Sequence, residues 1–223
     1  MFDRIAGRYD LLNHLLSAGL DRRWRAHVSQ LLPPGDNLHV LDLACGTGDQ
    51  LIALAASGRV VRGVGLDLAE QMLAIGREKV SQRGLEQVLC LQTGDAENLP
   101  FDPCSFDAVT IAFGIRNMTD VQRTLGEMLR VLKPGGRALI LEFSLPQSRL
   151  VRGPYLFYLR HVLPRLGEVI SGDSAAYRYL NETIETFPHG EAFCQIMLDT
   201  GFTGVTFKPL TMGIVSIYQG DKP

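Results

Sequence analysis

Residues 38–49 join a short apolar run, Leu38-His39-Val40-Leu41, to a glycine-rich turn, Cys45-Gly46-Thr47-Gly48, and few architectures accommodate that junction. Such a turn lets the chain leave a strand, enter a helix within a few residues and bring bare backbone close to a ligand. The segments that follow repeat the alternation. Strands are expected at about 60–66, 88–91, 106–112 and 138–141. Helices are expected at about 49–57, 69–82 and 121–132, with Gly58 and Gly84 as stops and Lys133-Pro134-Gly135-Gly136 as a turn. The strands are continuously apolar, as in a parallel sheet covered by helices on both faces.

The two ends and one insertion depart from this rhythm. Leu11, Leu12, Leu15 and Leu16, then Val28, Leu31 and Leu32, predict a helical N-terminal cap over 1–35, stopped by Pro33-Pro34-Gly35. Residues 149–187, rich in Tyr, Phe and Leu, read as a helical insertion after the fifth strand. A helix at 191–199 and two strands, 205–207 and 214–218, complete a count of seven strands. No repeat, low-complexity tract or linker divides the chain, so one domain over 1–223 is expected.

Charge and cysteines narrow the function classes. With 22 Lys and Arg against 24 Asp and Glu, the net charge is −2. That near-balance argues against affinity resting on nucleic-acid phosphates. Cys45, Cys90, Cys104 and Cys194 contain no C-x-x-C pair, so no metal site is expected. No apolar stretch is long enough to span a bilayer, and Met1-Phe2-Asp3-Arg4 opens no secretory signal; a cytoplasmic protein is expected.

The turn after the first strand lacks the marks of a phosphate binder. Leu51 stands where a dinucleotide fingerprint needs its third glycine, and no G-K-[ST] follows. Asp42 and Asp49 flank the loop and would repel a diphosphate. Asp67, at the end of the second strand, is placed to accept hydrogen bonds from both hydroxyls of a ribose. Asp95 and Ala96, after the third strand, offer a carboxylate to an exocyclic amine and a backbone amide to a ring nitrogen. A cationic nucleoside without phosphates fits these groups, and S-adenosyl-L-methionine is such a ligand. Asp42, Gly46, Thr47, Gly48, Asp67, Asp95 and Ala96 are its expected binding residues. D-x-A-x-G-x-G-D with Asp67 and Asp95 is similar to the pattern of class I methyltransferases, which have a Rossmann-like fold.

Further segments carry a closer resemblance. Tyr9-Asp10-Leu11-Leu12-Asn13, Ser17-Ala18-Gly19 and Trp24 resemble the N-terminal signature of the ubiquinone/menaquinone biosynthesis C-methyltransferase family. Arg130-Val131-Leu132-Lys133-Pro134-Gly135-Gly136 with Leu141-Glu142-Phe143-Ser144 resembles its second signature. Phe113-Gly114-Ile115-Arg116-Asn117, Tyr177-Arg178-Tyr179-Leu180 and Leu210-Thr211-Met212-Gly213-Ile214 are also similar. The resemblance implies methylation of a prenylated hydroquinone on a ring carbon, with a demethylmenaquinol favoured over a benzoquinol. It also implies that Thr47, Asp67, Asp95 and Ala96 hold the cofactor, whose product is S-adenosyl-L-homocysteine. Asp21 and Ala112 depart from the family, which often has His and, in some members, Ser there.

The chemistry asks for an ionised phenol. Arg116, just past the fourth strand, would stabilise a phenolate but is too weak an acid to trade protons itself. Asp10 and Glu142 are candidate proton acceptors, and Asn117 a donor to a quinol oxygen. Tyr9 and Asn13 on the cap would close over the cofactor and, with Tyr177, border the acceptor. Arg149, Arg152, Arg160 and Arg165 around Tyr155-Leu156-Phe157-Tyr158-Leu159 predict a transient contact with an anionic membrane surface. A homo-oligomer remains open. Rival readings are a methyltransferase of a soluble small molecule and a non-catalytic nucleoside-binding domain; a nucleic-acid amino-methyltransferase is disfavoured because Ala112-Phe113-Gly114 carries no proline.

Overall fold

Val40 and Leu41 are neighbours in the first strand but bury in opposite directions, and the architecture follows from where each side goes. The computed structural model describes residues 17, 19–165 and 174–223. Strand β1 (Leu38–Leu43) is followed by α2 (Asp49–Ala55), β2 (Val60–Asp67), α3 (Glu70–Gln82), β3 (Leu89–Thr93) and β4 (Phe106–Ala112). Then come a 3-10 turn (Ile115–Asn117), α4 (Val121–Val131) and β5 (Leu132–Phe143). Before β1 stands α1 (Asp21–Gln30). After β5 come α5 (Arg149–Phe157), running into a π-helical turn (Tyr158–Val162), then α6 (Ser174–Thr186), α7 (Glu191–Thr200), β6 (Thr203–Leu210) and β7 (Val215–Asp221).

The strands form one sheet in the order β3-β2-β1-β4-β5-β7-β6. All pairs are parallel except β5–β7 and β6–β7. On one side Val40 packs with Trp24 and Val28 of α1 and Leu51 and Leu54 of α2. On the other, Leu41 and Leu43 pack with Leu125 and Met128 of α4 and Phe193 and Met197 of α7. Each fully buried aliphatic side chain contributes about 1.5–3 kcal/mol, so the two apolar layers account for most of what holds the sheet.

The chain builds outward from β1 to β3 and then returns to β1's other flank with β4. The strand order therefore reverses between β1 and β4, and at that switch point the loops after the strand ends separate into a crevice. Two expectations are corrected. The Lys133-Pro134-Gly135-Gly136 turn is a bulged part of β5: Phe106 pairs with Leu132, the register then shifts to Ala108 with Arg137, and Gly135 takes a φ of +74° at the irregularity. The first helix after the glycine loop ends at Ala55, two residues early, and the chain leaves it through Gly58.

Tyr9, Asp10 and Asn13, and the side chain of Tyr177 in α6, lie outside the described residues.

Candidate active site

The end of β1 is bent by backbone that most residues avoid. Ala44 has a φ of +47°, Gly46 +54° and Gly48 +79°. The left-handed φ favours glycine at position 46, and a Cβ there would also lie 2.8 Å from the Met72 methyl, which would have to swing aside. Phe113, at the matching end of β4, is also left-handed at +60°. Strain of this kind at two adjacent strand ends marks a place where geometry is imposed by the surroundings.

Asp67 holds the loop in shape. Its Oδ2 accepts from the Gly46 amide at 2.8 Å and its Oδ1 from the Ala69 amide at 2.8 Å. Each oxygen retains a lone pair toward a cavity of about 390 Å³. That cavity is lined by Gly46, Asp67, Met72, Asp95, Ala96 and Asn117, among others. Asp95 is exposed there, and its Oδ1 accepts from the Glu97 amide at 2.9 Å. The Asn117 Oδ1 is buried without a hydrogen bond among the described residues. The crevice thus brings the ribose- and adenine-type acceptors read from the sequence into one space.

The charges beside the loop differ from the expected pair of repelling carboxylates. Asp49 Oδ1 is paired with Lys79 Nζ at 2.7 Å, and the same ammonium donates to Thr47 Oγ1 at 2.8 Å. Thr47 is buried, so its hydroxyl fastens the loop to α3. Asp42 is 1% exposed and accepts from Thr110 Oγ1 at 2.6 Å, while its Oδ2 has no partner. Burial pushes its carboxyl up to about 7, against the pull of Thr110 and Arg25. Neither acid is a bare negative flank.

Arg116 and Glu142 were read separately and are one unit. The β4–β5 register sets Ala112 beside Leu141, which brings residue 142 against the turn after β4. Arg116 Nη1 donates to Glu142 Oε1 at 2.6 Å and to the Phe113 carbonyl at 2.8 Å. Glu142 is 1% exposed and also accepts from the Phe143 amide at 2.8 Å. Burial raises its carboxyl, and the guanidinium offsets part of that. Glu142 and Arg116 thus form one ion pair out of the solvent. The guanidinium lies 5.4 Å from the centre of the Phe143 ring. Its Nη2 has no hydrogen bond among the described residues.

An apolar groove of about 420 Å³ opens between α1 and α5, lined by Leu20, Trp24, Leu150, Pro154, Tyr155 and Tyr158, among others. Trp24 Nε1 donates to Thr211 Oγ1 at 2.8 Å, which ties α1 to the turn before β7. Trp24, which lines the groove, lies 6.1 Å from the Phe113 ring, and Phe113 4.6 Å from Phe143. Tyr155 is buried, within electrostatic range of both Arg116 and Glu142, and its hydroxyl has no partner among the described residues. The sequence marked it only as an aromatic in the insertion; its distance along the chain from Arg116 hid the relation.

The model of the ubiE/COQ5 methyltransferase family matches residues 1–222. The chain belongs to that family. Among its ubiE/COQ5 relatives, a demethylmenaquinone methyltransferase of Thermus thermophilus is 48% identical over 223 residues, covering all of both chains. A ubiquinone/menaquinone biosynthesis C-methyltransferase of Geobacter sulfurreducens is 45% identical over 223 residues, all of this chain and 87% of the relative. Among solved structures, the methyltransferase in complex with the Haloferax volcanii Trm112 activator superposes with a TM-score of 0.71 at 22% identity, over 100% of this chain and 98% of that one. The ubiE/COQ5 chain therefore has the class I S-adenosylmethionine-dependent methyltransferase fold, and it is a methyltransferase.

Proposed function

We propose that this chain methylates a ring carbon of a prenylated hydroquinone, a demethylmenaquinol, with S-adenosyl-L-methionine as donor. Relatives of full length named for that reaction support the substrate class. The single observation that carries the reading is a cavity bordered by Asp67, Asp95 and Asn117 together with a separate apolar groove bordered by Trp24 and Tyr155. A nucleoside cofactor suits the first, and a hydrophobic tail suits the second.

In this reading Asp67 takes the ribose hydroxyls, Asp95 and Ala96 the adenine, and Gly46, Thr47 and Gly48 form the floor. When bound, the cofactor supplies an electrophilic methyl group on a sulfonium. The chain must then provide an electron-rich carbon at about 3–3.5 Å and keep water away. Arg116 does the first by stabilising the phenolate, which increases electron density at the neighbouring ring carbon. Nη2 and Nε are the donors left for that oxygen, because Nη1 is spent on Glu142 and Phe113. Asn117 orients a quinol oxygen or the cofactor from the cavity side. Phe113, Phe143 and Trp24 exclude water from the space between.

The tail leaves along the groove, whose lining includes Leu150 at 88% exposure. Phe157, 61% exposed, lies on the same helix with exposed Arg149 and Arg152. Arg160 is engaged with Glu185, so the basic face offered to anionic lipid is smaller than the sequence suggests. We propose a reversible membrane contact at this edge. No helix among the described residues is long and apolar enough to cross a bilayer.

The test is methyl transfer from labelled S-adenosyl-L-methionine to chemically reduced demethylmenaquinone, with a demethylated benzoquinol alongside. Faster methylation of the naphthoquinol is expected. Turnover only with untailed soluble acceptors, or none with either quinol, would overturn the proposal.

A further inference from the structure

Tyr155 carries a deeply placed hydroxyl that the mechanism has not used. The residue is 9% exposed, and its side chain lines the apolar groove with Trp24, Pro154 and Ile214. It belongs to a small cluster with Leu145, Leu159, Leu163 and Ile184, and Phe143 packs against that cluster. Arg116 lies over the same Phe143 ring, and the phenol is within electrostatic range of Arg116 and Glu142. Of the other polar side chains in the groove, Ser17 is bonded to Asp21 and Trp24 to Thr211, and Tyr158 is more exposed. A buried hydroxyl without a partner is costly, so its place here points to a group that arrives from outside.

The helix that carries Tyr155 is pinned from α6. The Leu163 amide bonds back to the Tyr158 carbonyl, and Pro164 has no N–H to give. The Leu159 carbonyl is thereby left without its usual helical donor, and Asn181 of α6 supplies one through Nδ2. The fastening keeps Tyr155, Leu159 and Leu163 buried together. Burial also pushes the phenol well above its ordinary value, so it stays protonated and acts as a donor.

A tailed 1,4-quinol has two inequivalent oxygens. One flanks the carbon that receives the methyl group, and the other flanks the carbon that bears the tail. In the proposed reaction Arg116 takes the first as a phenolate, and the tail lies in the groove. The second oxygen then meets a group that lines the groove and stands near Arg116. We infer that the Tyr155 hydroxyl donates a hydrogen bond to the quinol oxygen beside the tail-bearing carbon, and so selects acceptors with a second ring oxygen para to the ionised one. This rests on the proposed reaction and names a further residue for it. Held at both oxygens, the ring presents one defined carbon to the methyl group. A phenylalanine at this position would line the groove equally well but would leave that oxygen buried and unpaired.

The experiment compares wild type with Tyr155→Phe on two acceptors of equal tail length. One is reduced demethylmenaquinone; the other is the corresponding prenylated 1-naphthol, which lacks the second oxygen. Methyl transfer from labelled S-adenosyl-L-methionine gives kcat/KM for the four combinations, so the intrinsic reactivity of each acceptor cancels between proteins. A naphthol that is not turned over is measured as a competitive inhibitor instead, with the same expectation for its inhibition constant. With the quinol, Tyr155→Phe should lose about 5- to 100-fold, the range for leaving a buried group unpaired. With the naphthol it should match or exceed wild type, since neither protein can form the bond. Calorimetric affinity for adenosylhomocysteine should not change. The melting temperature should be equal or higher, because the hydroxyl has no partner among the described residues to lose. An equal loss on both acceptors, no loss with the quinol, or a lowered melting temperature would overturn the inference. Wild type that binds adenosylhomocysteine but fails to methylate the quinol would instead refute the proposed reaction.

Discussion

Replacing Asp42 by Asn should make the ligand-free protein more stable above neutral pH and a weaker binder of adenosylhomocysteine. The carboxyl titrates near 3.8 in an unfolded chain and near 7 when folded, because burial disfavours its charge. Between those values the folded state holds a proton that the unfolded state has lost. Stability contributed by this group therefore falls as pH rises from about 4 to 7, and is level above that. At 1.36 kcal/mol per unit the full penalty is about 4 kcal/mol, a large share of a typical folding free energy. Asn has no charge to bury, and its Oδ1 can still accept from Thr110, now 2.6 Å from Asp42 Oδ1. The variant should lead by only about 1 kcal/mol at pH 4.5 and by about 4 kcal/mol at pH 8. Urea denaturation without ligand, at half-unit steps between these limits, measures the difference. A stability difference that does not change with pH would refute the reasoning, whatever its size. Above pH 7 adenosylhomocysteine should lose affinity in the variant, since an amide oxygen carries no charge to strengthen a hydrogen bond from that ligand's ammonium.

Glu142→Gln leaves Arg116 buried without its counter-charge; breaking such a pair costs about 3–5 kcal/mol, seen as a lower melting temperature, and kcat should fall with it. Asp67→Ala removes the acceptor of the Gly46 and Ala69 amides, so calorimetry should show adenosylhomocysteine binding weakened by at least about tenfold, with methylthioadenosine equally affected. Arg116→Ala should act the other way, lowering kcat while leaving cofactor affinity within about twofold. Leu150→Glu at the groove mouth should raise KM for a long-tailed quinol and leave a short-tailed one unchanged, in detergent-dispersed assays at two tail lengths.

The sheet was legible because its strands are apolar runs and its ligand turn is made of glycines. Leu38–Leu43, Val60–Asp67 and Phe106–Ala112 fall within a residue or two of the runs that announced them. Asp67 was legible for the same reason: a strand end is a place in sequence as well as in space. Gly135 was not, since a glycine at positive φ looks the same in a turn and in a bulge. Arg116 and Glu142 were both noticed, but their union depends on the β4–β5 register, and nothing local encodes it. Lys79 was missed because its partners, Thr47 and Asp49, lie 32 and 30 residues away across a helix–loop contact.

Trp24 and Arg25 are consecutive residues of a ten-residue helix, the first bordering the groove and the second lying 5.6 Å over the Phe113 ring, within electrostatic range of Asp42. The helix is fastened to the turn before β7 by the Trp24 Nε1–Thr211 Oγ1 bond, so a shift at Arg25 is felt by the indole that borders the groove. Thermodynamic reciprocity then requires the donor and the acceptor to strengthen, or weaken, each other's binding by the same factor. An ordered sequence of arrival, cofactor before quinol, would be the kinetic face of that coupling.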